Sequence, residues 1–186
     1  MKLSDYLVKY FEKKNIQHIF GVTGGGAMHL NDSFGKSKKI SFIMHHHEQA
    51  ATMAAEAYSR LKKTTGVVNV TTGPGGTNSI TGVAGAWLDS IPILVISGQV
   101  AKKDMINQSQ TRQIGVQEIN IIDLVKPITK NAITLKDPNK IEYELDKAFY
   151  LANDKRPGPV WIDIPLDIQN KEIEIKDLKK YKFYPK

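Results

Sequence analysis

The sequence predicts an α/β domain built as a doubly wound, about six-stranded parallel sheet with helices on both faces. Short apolar runs alternate six times with stretches of helical spacing along the 186 residues. Most of those runs are continuously apolar and do not alternate with polar residues, the pattern of strands buried on both faces. Hydrophobic content of 41% and charged content of 24% suit one domain with a full core.

Each element has its own signal. Leu3, Tyr6, Leu7, Tyr10 and Phe11 recur at helical spacing, so residues 4–14 read as an amphipathic helix, with Ser4 or Asp5 as cap. Residues 17–22 form a first buried strand, and a glycine turn opens a helix over 27–34. A basic loop leads to strand two at 40–44, and an alanine-rich helix follows over 46–62. Strand three spans 67–71. A tight turn at 72–78 opens a small-residue helix that runs through Ala86 and Trp87, and strand four covers 91–97. Residues 101–116 are polar and lack periodicity, which predicts a long loop of the kind that often carries function. A short helix is expected over 117–126, strand five over 128–135, a helix over 137–152 and strand six over 160–164. From Pro165 the chain becomes charged and poor in apolar residues, as a linker would be.

Composition excludes several classes of function. Without cysteine there is no disulfide framework and no thiolate metal site, which fits a cytoplasmic protein. The formal charge is +7, but much of it sits on Lys36, Lys38, Lys39, Lys62, Lys63 and the 171–186 tail, in expected loops and a chain end. That is a solubilising surface and not a nucleic-acid platform. No apolar run approaches the ~20 residues that span a bilayer, so neither nucleic acid nor membrane is an expected partner.

Two glycine-rich turns follow strands, at residues 21–26 and 73–76. The dinucleotide fingerprint requires a glycine at its sixth position. Counting from Gly24 reaches His29 and counting from Gly73 reaches Asn78, so neither turn matches. No Gly-Lys-Ser/Thr run exists either. His45, His46 and His47 are adjacent in sequence and therefore diverge in direction, which makes them poor joint metal ligands; no metal ligand is assigned. Glu48 stands at a strand-to-helix junction, on the sheet rim where α/β proteins bind ligands. An acid at a helix N-terminus is also favoured by the helix dipole alone. From the residues themselves both readings of Glu48 stay open.

Seven ordered segments carry a resemblance over roughly residues 3–169. They are Phe20-Gly21-Val22-Thr23-Gly24-Gly25, His47-Glu48-Gln49-Ala50-Ala51, Thr72-Gly73-Pro74-Gly75-Gly76-Thr77-Asn78, Asp89-Ser90-Ile91-Pro92, Ser97-Gly98-Gln99-Val100, Pro127-Ile128-Thr129-Lys130 and Arg156-Pro157-Gly158-Pro159-Val160. Together they resemble the N-terminal, pyrimidine-binding domain of thiamine-diphosphate enzymes, closest to the acetolactate synthase large subunit. The resemblance implies a thiamine-diphosphate-binding fold over residues 1–165 and a linker over 166–186 toward a central domain. It implies that Glu48 is catalytic, bonding N1′ of the cofactor's aminopyrimidine and favouring the imino tautomer that deprotonates the thiazolium carbon. Pro74 and Asn78 are implied to contact the pyrimidine, and Gly24 and Gly25 to border its reacting end. Gln117 and His47 are implied on the substrate side.

The same resemblance places the diphosphate and its Mg2+ on a C-terminal domain of a partner subunit, in a homodimer or homotetramer. FAD is a further possibility for the full-length enzyme, and the substrate is a small 2-oxo acid. On this reading the 186 residues are the first third of an enzyme, inactive alone. The family's Phe-Gln-Glu is Val116-Gln117-Glu118 here, and the preceding segment, with residues 108–113, is about six residues longer than in acetolactate synthases. That departure admits a carboligase with another acceptor, such as a keto-sugar. A decarboxylase, oxidase or C–C hydrolase of the same superfamily is a separate enzymatic reading. A free-standing, non-catalytic binding domain is the reading outside enzymes.

Overall fold

The structure is a computed structural model that describes residues 1–106 and 111–182. The segment 108–113 therefore lies partly outside the described residues.

Six strands form one sheet: β1 (His18–Gly21), β2 (Ser41–Met44), β3 (Gly66–Val70), β4 (Ile93–Gln99), β5 (Asn131–Thr134) and β6 (Val160–Pro165). Their order is β2-β1-β3-β4-β6-β5 and every neighbouring pair is parallel. Side chains alternate across the sheet because the strand period is two. Val67, Leu94, Ile96, Val160 and Ile162 face one layer, formed with α1 (Leu3–Lys13), α2 (Met28–Lys36), α7 (Ile141–Asn153) and α8 (Leu166–Gln169). Val68, Val70, Val95 and Trp161 face the other, formed with α3 (Glu48–Lys62), α5 (Ile80–Leu88) and α6 (Ile121–Val125). A five-residue helix, α4 (Pro74–Asn78), precedes α5.

The boundaries differ from the sequence expectation where a local conformation intervenes. The helix expected from residue 46 begins at Glu48, because His47 is extended and its Nδ1 accepts the Gln49 N–H at 3.1 Å. Residues 74–78, expected as part of a turn, are helical: Gly73 takes a left-handed φ of 61° and Pro74 occupies the first helical turn. The helix expected from Gln117 begins only at Ile121, since Gln117 itself has a φ of 58°. Asn120 caps α6, its Oδ1 accepting the Asp123 N–H at 3.3 Å. Strand five is shortened to Asn131–Thr134 by a 3-10 turn around Pro127.

The tail read as a linker is packed where it is described. Ile168, Ile173 and Leu178 join the core layer of α1 and α7. Leu3 N–H donates to Lys171 O and Ile173 N–H donates to Met1 O, both at 2.9 Å. The Tyr181 ring meets Tyr143 edge-on at 5.2 Å.

On the other layer, α3 and α5 cross closely because Gly82 has no side chain. A Cβ at Gly82 would stand 2.7 Å from Cβ and Cγ2 of Thr52. Gly82→Ala should therefore push the helices apart and destabilise the chain by roughly 1–3 kcal/mol, read as a lower urea midpoint.

Asp163 is an acid in the middle of a central strand, fully buried. Ser97 Oγ donates to its Oδ1 at 2.6 Å, and Gln99 Nε2 donates to its Oδ2 at 3.2 Å. Trp161 Nε1 donates to Ser97 Oγ at 2.7 Å. Burial pushes the Asp163 carboxyl up to about 7, against the downward pull of those donors. The folded chain thus holds a proton that the unfolded chain loses near pH 4. Stability should fall as pH rises from about 4 to about 7, by at most about 4 kcal/mol from this group. Asp163→Asn should flatten that fall when unfolding midpoints are measured across the same range.

Candidate functional site

The first crevice in the sheet follows from its winding. The chain leaves β1 through α2 on one face and leaves β3 through α4 and α5 on the other. A gap opens between the carboxyl ends of these neighbours, the place where open α/β sheets bind ligands.

Three turns meet there. After β1, Gly24 is extended, with φ −174°, and leads into the 3-10 turn Gly25–Ala27. After β3, Thr71 and Thr72 face this turn: Gly26 N–H donates to Thr71 Oγ1 at 3.0 Å. Asn69 Nδ2 donates to Asn31 Oδ1 at 2.7 Å, and Asn31 Nδ2 donates to the Gly24 carbonyl at 3.2 Å. Thr72 Oγ1 donates to Gly98 O at 2.9 Å and ties in the end of β4. After β2, Glu48 opens α3.

Glu48 is 8% exposed, low for a carboxylate. Asn78 Nδ2 donates to its Oε2 at 2.9 Å. Its Oε1 accepts no hydrogen bond from the described residues, and a Cβ at Gly75 would stand 3.4 Å from it. The N-terminus of α3 adds its partial positive charge. The result is a fixed carboxyl group with one oxygen beside bare glycine backbone. That arrangement fits a flat, nitrogen-containing ring that needs one hydrogen-bond partner in its plane and no side chain against its face.

Glu48 and Asn78 are thus in direct contact, with Gly75 beside them. Pro74 lies exposed at the start of α4. Gly24 packs against Thr71, while a Cβ on Gly25 would meet nothing within 4 Å. Gly25 and Gln117 line a shared cleft of about 540 Å³ with Gly26, Thr72 and Val116. The Gln117 carbonyl lies against Gly73, at the position a side chain there would fill. His47 is exposed and its ring nitrogen caps α3, so the structure does not bring it into that cleft. His45 packs on Phe20, with ring centroids 5.9 Å apart. Sequence reasoning missed Thr71, Thr72, Asn31 and Asn69, which hold the two glycine turns together. The Thr-Thr-Gly run directly after an apolar strand was the available signal.

Comparison with known proteins agrees with this geometry. Residues 1–124 match the family model described as thiamine pyrophosphate enzyme, N-terminal TPP binding domain. The acetolactate synthase large subunit of Buchnera aphidicola from Acyrthosiphon pisum is 43% identical over 91% of this chain and 28% of its own length. The probable acetolactate synthase large subunit of Methanocaldococcus jannaschii is 38% identical over 95% of this chain and 29% of its own. The chloroplastic acetolactate synthase of Arabidopsis thaliana is 36% identical over 90% and 24%. The chain spans less than a third of the length of these relatives. With a parallel six-stranded sheet, a rim carboxyl held at Glu48 and a family match across two thirds of its residues, the chain belongs to the N-terminal TPP-binding domain family of thiamine pyrophosphate enzymes.

Proposed function

We propose that this chain is the pyrimidine-binding part of an enzyme that decarboxylates a 2-oxo acid and joins the product to a second carbonyl compound, as an acetolactate synthase does. The observation that carries the reading is the Glu48 carboxyl, buried at the carboxyl edge of the sheet, fixed through Oε2 by Asn78 and bare at Oε1. Thiamine diphosphate, when bound, supplies the nucleophilic carbon for such chemistry.

What this chain contributes is orientation and control of one proton. Glu48 Oε1 is placed to hold a proton against a ring nitrogen, and Asn78 keeps the carboxyl from rotating away from it. Pro74, Gly75 and Asn78 form the wall on which the ring would rest. Gly24 and Gly25 keep the neighbouring wall low, so a substrate can approach. Gln117 reaches the same cleft from the opposite side and is the polar candidate for touching substrate, with His47 more remote.

The diphosphate and a Mg2+ ion need a second domain, which the longer relatives leave room for, and a site shared between subunits makes a homodimer or homotetramer the working assembly. Exposed apolar side chains at Met44, Met53, Trp87 and Leu88 support a covered surface of this kind. FAD and a cytoplasmic setting belong to the same proposal. Among the described residues, no helix is long and apolar enough to cross a membrane.

In the enzyme carrying this domain, Glu48→Gln should lower turnover of pyruvate by about 10²–10⁴-fold. Near-normal turnover in a folded variant would end the assignment. The 186-residue chain alone should show no micromolar binding of thiamine diphosphate in calorimetry, since only part of the ligand would find partners; a micromolar constant would contradict the shared site.

A further inference from the structure

The sheet has a second crevice, and the proposed thiamine chemistry does not use it. From β4 the chain passes through α6 on one face to β5 at the sheet edge. From β5 it returns through α7 on the opposite face to β6, which is inserted between the two. The carboxyl ends of β4 and β5 therefore send the chain to opposite faces, with β6 between them. This is the same topological condition that opens the first crevice. The two lie roughly 10–15 Å apart along the sheet, given the spacing of neighbouring strands.

The second crevice holds a cavity of about 900 Å³. Its floor is polar: Gln99 from β4, Thr134 from β5 and Asp163 from β6. Gln99 and Asp163 are 2% and 1% exposed, so these groups are set into the sheet edge and not spread on a surface. Its rim is cationic: Lys102, Arg112 and Lys136 line it and are exposed. Two acids, Glu118 and Asp163, share the lining with these three cations, and each is held by neutral donors. Glu118 accepts from the backbone amides of Ile106 and Gly115. Asp163 accepts from Ser97, Gln99 and, at 3.4 Å, from Thr134 Oγ1. Among the described residues, Lys102 alone of the three approaches an acid, Asp167, at 3.9 Å.

We propose that this crevice is a second ligand site, for a phosphorylated, hydroxylated small molecule of sugar-phosphate size. The floor offers the Thr134 hydroxyl and the remaining lone pairs of Asp163 to hydroxyl groups, while the Gln99 amide is spent on Ile119 O and Asp163; the rim offers guanidinium and ammonium donors to a phosphate. A cavity of this volume accommodates such a molecule. Its position apart from Glu48 makes it independent of the cofactor assignment.

The test is a titration of the 186-residue chain with fructose 6-phosphate, fructose and inorganic phosphate, followed by calorimetry or amide chemical shifts. Fructose 6-phosphate should bind saturably at or below ~1 mM, with fructose and inorganic phosphate each at least about tenfold weaker. Arg112→Ala and Lys136→Ala should each weaken fructose 6-phosphate about tenfold. Thr134→Val should weaken fructose 6-phosphate and leave inorganic phosphate unchanged. Lys103→Ala, outside the crevice, should leave the fructose 6-phosphate titration unchanged. Three results would overturn the proposal: no saturation, inorganic phosphate binding as tightly as the sugar phosphate, or unchanged affinity in the Arg112 and Lys136 variants. None of them touches the thiamine reading, which stands or falls on Glu48.

Discussion

Six strands running the same way bring every turn that follows a strand to one edge of the sheet. The chemistry of the molecule depends on that constraint. Glu48, Gly24, Thr71, Gly98 and Asp163 come from five different strands or the turns after them, and sequence separations of up to 139 residues collapse to one rim. A parallel sheet permits this only with crossovers on its faces, which is why both faces are covered and the strands are apolar throughout. The two crevices arise at the places where successive crossovers change face. They are consequences of the strand order, before any side chain is considered.

Precision at the rim comes from small residues and short hydrogen bonds. Gly82 lets α5 approach α3 at Thr52, and Thr52 Oγ1 in turn donates to the Glu48 carbonyl at 2.8 Å. Packing between helices is thereby linked to the first turn of the helix that carries the carboxyl. Asn78 completes the fix from the end of α4, a helix that exists because Gly73 turns left-handed and Pro74 suits a first helical turn. The position of one carboxyl oxygen is therefore set from two sides, by the α3–α5 packing at Gly82 and by the turn at Gly73 and Pro74.

The strands and their parallel sense were legible because continuous apolar runs separated by helical spacing have few other solutions. The ends of elements were less so. Gln117 carries a polar side chain that any helix accepts, yet its backbone is left-handed and its carbonyl packs on Gly73. Local sequence contains no trace of that contact. The packed tail was hidden for a similar reason: Ile168, Ile173 and Leu178 are spread among charged residues, and their burial depends on a partner surface from α1 and α7. At the site, residue types and spacing left Glu48 between two readings. The family resemblance implied a role for it, and the Asn78 contact shows a carboxyl held in place, which a dipole preference alone would not require. His47 shows the reverse, a residue adjacent to the site in sequence whose ring serves the helix end.

The glycine turns illustrate why a motif search alone misreads this rim. They fail the phosphate-cradle patterns, and the structure supplies the physical reason. Gly26 N–H is bonded to Thr71 Oγ1, Gly75 N–H to Thr72 O and Thr77 N–H to Gly73 O. Gly24, Gly26 and Gly98 are small because other parts of the same rim press against them. Their amides and their missing side chains are used to close one turn onto the next. Phosphate recognition needs several free amides pointing at one place, and these are committed to holding the rim together. A rim built in this way can shape a wall for a flat ring and present one carboxyl oxygen to it. The charge of a diphosphate has to be met by cations or amides from outside these turns.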